Sequence, residues 1–209
     1  MYDRNTDTLW HQLWGTPAFG PLVGSGIQLE RLPVTLTTWE AWYAEHPETK
    51  VMDFETGFVR DYSVGAAYAD YFASPDTMFP VWRRSELLPT KSWVFTQLID
   101  NQPKAYPLPT LAEELVVNDS LAGQDLVVVY EAGGHGARAY ARGEHTFKSA
   151  APDTTLVLLD EQGDEWQVAE NALVGPGGEE LERLPGHMAY WFGWFSFYPQ
   201  TKIYGVDGE

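Results

Sequence analysis

The sequence predicts an α+β fold of mainly short antiparallel strands, with one aromatic helix in each of two repeats. Three observations carry this. First, one stretch occurs twice: Leu29-Glu30-Arg31-Leu32-Pro33, then Trp39, Trp42, Pro47, Thr49 and Lys50, returns as Leu181-Glu182-Arg183-Leu184-Pro185, then Trp191, Trp194, Pro199, Thr201 and Lys202. Every pair is 152 positions apart, and ten of the 22 positions from Leu29 to Lys50 are identical, so we read an internal duplication. Second, from Trp93 onward apolar residues alternate or run in short stretches between Gly, Pro, Asn and Asp, the pattern of strands. Third, Trp39, Trp42 and Tyr43 fall at i, i+3 and i+4, one face of a helix.

Taken in order, 1–28 reads as strands and turns, with Asn5-Thr6-Asp7 turning between Met1-Tyr2 and Leu9-Trp10. Leu32–Leu36 reads as a strand entering a helix over 38–46, with Thr37 as cap, Glu40 reaching back, and Pro47 as the stop. Lys50–Phe54 reads as a strand. The segment 61–91 is a connector with a turn of helix near Ala66–Tyr71. Trp93–Ile99 and Lys104–Leu108 flank Asp100-Asn101-Gln102-Pro103, a hairpin signal. Pro109–Leu115 is a short helix with proline near its start. Leu126–Tyr130 is a buried strand, Ala137–Arg142 its partner, and Thr155–Asp160 a further strand turned by Glu161-Gln162-Gly163-Asp164. The second aromatic helix, Ala189–Tyr198, has Phe192 and Phe197 where the first has Glu40 and Glu45, and should be buried.

Upstream likenesses extend the repeat. Ala18-Phe19-Gly20-Pro21 matches Leu173-Val174-Gly175-Pro176, and Asp3 to Asp7 with Trp10 matches Asp160 to Asp164 with Trp166. The second copy has a front half from about Lys91 to Thr155, for which the first has no counterpart. The organisation expected is therefore 1–60 as a truncated first repeat (tail half only), 61–91 as connector and 92–209 as a complete second repeat, in one compact unit.

A chain of 209 residues, 44% apolar and 14% aromatic, supports a packed globule burying roughly 70% of its unfolded surface. The net charge of −17 opposes binding to nucleic acid and to anionic membranes, and suits solubility. The absence of cysteine excludes disulfides, thiolate metal sites and a cysteine nucleophile. No apolar run reaches the ~20 residues of a membrane span, and Met1-Tyr2-Asp3-Arg4 is not a signal peptide.

Met1-Tyr2-Asp3-Arg4, Leu9-Trp10, Gly20-Pro21-Leu22, Leu29-Glu30, Thr37-Thr38-Trp39 and His46 to Val51 resemble the tail of the family called domain of unknown function 3179. Lys104-Ala105-Tyr106-Pro107-Leu108, Val117-Asn118-Asp119, Arg138-Ala139-Tyr140 and Phe147 resemble its front half, so the likeness covers nearly the whole chain. The resemblance implies a bacterial or archaeal, extracytoplasmic protein of the cell envelope and carries no assigned activity. Where the family's front half has Tyr-Cys-Pro-Leu-Cys-Gly, this chain has Tyr130-Glu131-Ala132-Gly133-Gly134-His135-Gly136, without either thiol. The chain thus looks like a piece whose cysteine-bearing counterpart would lie upstream of Met1.

Candidate ligand-binding residues are Glu131, His135, His145 and Asp119. Three glycines around His135 allow close backbone approach, Glu and His can move a proton or bind metal, and Asp119 is a potential general base. For each, a structural role is the preferred alternative: a hairpin connection for 131–136 and an Asx turn for Asn118-Asp119. His187-Met188 offers borderline and soft ligands but reads as packing, since Leu36 stands at the place of Met188. His11 and His46 have no ligand spacing with His145. Common hydrolase signatures are absent, and no catalytic residue, metal site or cofactor is expected. The leading expectation is an envelope-associated binding or structural module. The alternatives are a fragment of a metal-binding or redox protein, and a carbohydrate-binding module using paired tryptophans. The lost front half suggests a homodimer or a missing N-terminal segment as the partner.

Overall fold

The computed structural model describes residues 1–63, 65–131, 136–151 and 154–206. In chain order the elements are β1 (Tyr2–Asp3), β2 (Thr8–Trp10), β3 (Pro17–Phe19), α1 (Trp39–Glu45), α2 (Ala69–Ala73), β4 (Trp93–Ile99), β5 (Gln102–Pro107) and α3 (Leu108–Glu114). There follow β6 (Val116–Leu121), β7 (Gln124–Tyr130), β8 (Ala137–Ala141), β9 (Lys148–Ala151), β10 (Thr154–Leu159), β11 (Glu165–Val168), β12 (Ala172–Val174), β13 (Glu180–Leu184), β14 (Gly186–Tyr190), α4 (Trp191–Phe197) and β15 (Lys202–Ile203). The architecture is α+β, mostly strand with few and short helices.

Three sheets result. β1-β2-β3 is a small antiparallel meander, and β14-β4-β5-β15 is a four-stranded sheet in which only β15 runs parallel to its neighbour. The order β6-β7-β8-β13-β12-β11-β10-β9 is antiparallel throughout. The β4–β5 turn places Asp100 and Asn101 at φ of 46° and 61°. Both central residues of such a two-residue turn need positive φ, which Asp and Asn tolerate better than other side chains.

Side chains alternate across the strands, so neighbours serve different cores. Phe95, Tyr106, Leu111, Val117, Leu126 and Val128 form one cluster. Val127, Val129, Tyr140, Phe147, Leu158 and Trp166 form a second. Val94, Ala105, Trp191, Trp194, Tyr198 and Ile203 form the third, where α4 lies on the β4–β5 hairpin.

Several expectations shift. The first-repeat helix is capped by Thr38, whose Oγ1 accepts from Ala41 N at 3.2 Å, while Thr37 is engaged elsewhere. The connector helix lies at Ala69–Ala73, slightly later than expected. Asn118 and Asp119 stand within β6 and not in a turn: Asp119 is opposite Leu126, and the actual turn, Ala122-Gly123, takes the positive φ. The second aromatic helix begins at Trp191 because 186–190 is drawn into β14 by pairing with β4. No strand forms at 32–36 or 50–54. Their counterparts are strands because they flank the hairpin, Gly186–Tyr190 on β4 and Lys202–Ile203 on β5.

The two aromatic helices share local geometry despite this. Trp42 Nε1 donates to Thr49 Oγ1 at 2.9 Å, and Trp194 Nε1 donates to Thr201 Oγ1 at 2.9 Å. The C-caps His46 and Tyr198 have φ, ψ of −128°, 64° and −127°, 69°. Trp42 packs on His46 at 4.1 Å between ring centroids, as Trp194 packs on Tyr198 at 4.3 Å. Burial is opposite: Trp191 and Trp194 are 0% and 2% exposed, whereas Trp39 and Trp42 are 52% and 37% exposed. Glu40 and Glu45 are exposed, while Phe192 and Phe197 are half-buried.

Truncating a fully buried Trp leaves a cavity that the surroundings refill only partly. Trp191→Ala is expected to cost about 3–5 kcal/mol, and Trp39→Ala less than about 1 kcal/mol, read as the shift in urea unfolding midpoint at constant slope.

Candidate functional site

β5, β6 and the C-terminal turn bring Lys104, Tyr106, Asp119 and Tyr204 together. Lys104, 1% exposed, sits 2.9 Å from Asp119 Oδ2, which also accepts from the Tyr106 hydroxyl at 2.7 Å. Ser120 N donates to Asp119 Oδ1 at 2.7 Å. A buried ammonium needs such a partner to offset lost hydration. Asp119 is therefore bound into a structural ion pair. Burial, then the Glu114 carboxylate that accepts from its hydroxyl, pushes Tyr204 up to about 12.

Glu131 belongs to a second polar cluster at the ends of β7, β8 and β13. Thr37 donates to Glu131 Oε1, Arg183 donates to Thr35 Oγ1 at 2.6 Å, and Arg183 also pairs with the Glu170 carboxylate. Arg138 Nη2 lies 3.6 Å from Glu170 Oε2. Burial lowers the Arg138 pKa, but Tyr140, Glu131 and Glu170 outweigh it, and the net direction is up. Burial raises the Tyr140 phenol, which Arg138 and Arg183 only partly offset. Val34 N donates to Gly186 O at 3.2 Å, and a side chain at Gly136 would lie 2.2 Å from the Leu36 carbonyl, so glycine permits the close approach. Residues 34–37 are thus strapped across the ends of β7 and β13 by charge-assisted bonds. Glu131 Oε2, Arg138 Nε and Arg183 Nε have no partner among the described residues. His135 lies outside those residues.

His145 stands apart from both clusters. Its Nδ1 is 3.4 Å from Glu161 Oε1, and its ring centroid is 5.0 Å from that of Trp166. Asp160 nearby accepts from Gln162 N and Asp164 N at 2.9 Å and from Trp166 Nε1 at 3.1 Å, closing the β10–β11 turn. Asp119, Glu131 and His145 accordingly serve three separate networks. Among the described residues no three His, Asp or Glu side chains converge as metal ligands. The arginines and threonines around Glu131 carried no motif; Arg183, inside the repeated Leu-Glu-Arg-Leu-Pro, was the available signal.

A cleft of about 400 Å³ opens between the N-terminal segment and the β4–β14 edge, lined by Leu13, Leu29, Arg31, Thr96, His187 and Trp194 among others. His187 packs edge-on against Trp194 at 5.7 Å and has a buried Nε2 without a partner among the described residues. Burial, then Arg31, pushes its pKa down. The packing role expected for His187 accounts for the Trp194 contact but not for its placement in a cleft.

Removing the Asp119 carboxylate from the buried Lys104 by Asp119→Ala should cost up to about 3–5 kcal/mol, and Lys104→Met/Asp119→Leu should recover most of it; chemical denaturation of the two variants beside the wild type checks this. His187 has a folded pKa below its unfolded one, so the unfolded chain binds more protons below about pH 6.5. Its contribution to stability is present above that pH and is lost as pH falls toward the folded value. The loss of stability from about pH 7.5 to about pH 5.5 should be smaller in His187→Gln, measured by urea midpoints at both pH values.

No curated protein and no solved structure matches the chain. The model of the family described as a protein of unknown function, DUF3179, matches residues 1–201, and this chain belongs to that family.

Proposed function

We propose that this protein is a non-catalytic, envelope-associated binding or structural module built by internal duplication, in which the second repeat is the self-sufficient body and the first presents a binding face. The observation that carries this is the matched geometry with opposite burial. α1 and α4 share their indole–threonine bond, their cap dihedrals and their ring stacking, yet α4 is covered and α1 is open. Trp39, Trp42 and Tyr43 on α1 are exposed, and so are Val51, Met52 and Phe54 a few residues beyond it. Contiguous exposed aromatics on a monomer mark interaction sites. The polar clusters support the same reading: Asp119 and Glu131 are spent on holding strands and the 34–37 strap.

The carbohydrate reading called for an exposed coplanar tryptophan pair; here Trp39 stacks on Tyr43 and Trp42 on His46, along their own helix. The metal or redox reading rests on cysteines outside these 209 residues. The test is a photo-crosslinking amino acid at the exposed position 45 of α1, which keeps both tryptophans, expressed in the source cells. A specific adduct in the envelope fraction is expected. An uncrosslinked protein confined to the soluble fraction overturns the proposal.

A further inference from the structure

The α4 environment is a template for what covers α1. Trp191 and Trp194 lie against Val94 and Ala105, side chains small enough to admit two indoles, on one face of the β4–β5 hairpin. After Trp194 the chain turns through Thr201, whose N–H donates to Tyr198 O at 3.0 Å, and Lys202–Ile203 runs beside Lys104–Ala105 as a parallel edge strand. Tyr204 N then donates to Ala105 O at 2.9 Å. The first repeat carries each of these parts. Thr49 N donates to His46 O at 3.1 Å, Lys50-Val51 stand at the places of Lys202-Ile203, and Met52 stands at the place of Tyr204. Ile203 is 1% exposed, whereas Val51 is 71% exposed.

We propose that α1 and residues 50–52 form a docking surface for a β-hairpin of the β4–β5 kind, supplied from outside residues 1–209, which receives the two tryptophans on its face and Lys50–Met52 as a parallel edge strand. This rests on the binding-module reading and names its partner. A second copy of this chain does not fit, because its own hairpin is already covered by α4, flanked by β14 and extended by β15. The rim sets the partner's charge. Glu40, Glu45 and Glu48 stand where the covered repeat has Phe192, Phe197 and Gln200, so the incoming hairpin carries basic or amide groups around its apolar face. Preformed helix, cap and indole bond reduce the ordering cost of docking, while backbone pairing at an edge supplies affinity without strict side-chain demands.

The probe is a synthetic peptide of residues 92–107, cross-linked at its open end because an isolated two-stranded hairpin is marginal in water. It is titrated into the full 209-residue chain by calorimetry, with hydrogen exchange as second readout. One-to-one binding is expected, with new protection of the Met52 amide. Trp42→Ala and Met52→Pro should each weaken binding by at least about tenfold, and Phe72→Ala, on another exposed patch, should leave it unchanged. Both weakening substitutions lie at exposed positions outside the cores. Absent binding, or binding that survives Met52→Pro, overturns the inference. Self-association of the chain abolished by Met52→Pro also overturns it, since the occupant is then a second copy. A position-45 adduct in the envelope whose partner lacks such a hairpin overturns this inference alone and leaves the binding-module reading standing.

Discussion

Both faces and both long edges of the β4–β5 hairpin are taken, and the remainder of the fold is arranged to take them. Phe95 and Tyr106 point into one core, Val94 and Ala105 into another. β14 and β15 occupy the edges. A strand pair buried on two sides needs apolar side chains at consecutive positions, and it leaves little place for charge. The one ammonium that is buried there, on Lys104, is held by Asp119 from β6, which joins the four-stranded sheet to the eight-stranded one.

The charged groups of the interior are used as fastenings. Arg183 does two jobs through one guanidinium: it holds Glu170 and it reaches Thr35, ahead of α1. Asp160 gathers two backbone amides and an indole to close a turn. Such groups resemble catalytic clusters when seen in sequence, because a buried acid beside a base is common to both. What separates them is that their oxygens are taken up by main-chain amides, hydroxyls and neighbouring strands. His187, with a buried nitrogen at a cleft, departs from this pattern, as does Glu131, whose Oε2 is buried without a partner among the described residues.

Much of the fold was legible where local chemistry is strong. Asp100-Asn101 set the β4–β5 turn, the continuous apolar run of Leu126–Tyr130 set a central strand, and the tryptophan spacing set both aromatic helices. Errors arose where a long-range partner decides the structure. Residues 50–54 have the composition of a strand but no edge to pair with, and 186–190 belong to a strand only because β4 lies beside them. Asn118-Asp119 has turn chemistry, yet the β6–β7 ladder overrides it. Of the candidate site, the sequence pointed to Glu131 and Asp119 as notable polar residues, but their partners Thr37, 94 positions from Glu131, and Lys104, 15 positions from Asp119, follow no spacing rule.

The sheet order also governs when the chain can close. β4 and β5 pair with each other within residues 93–107, but β14, α4 and β15 all come from 186–203, about 80 residues later. During synthesis the hairpin emerges before the elements that finish it, and its apolar faces and open edges stay wet until residues 186–203 have left the ribosome. Loop closure over that distance is slow compared with local pairing. A chain ending before Gly186 would lack its third core and expose two strand edges at once, the conditions under which a nascent protein sticks to its neighbours. The segment 186–203 is thus the latch of the whole assembly, and truncation there strikes the centre of the fold.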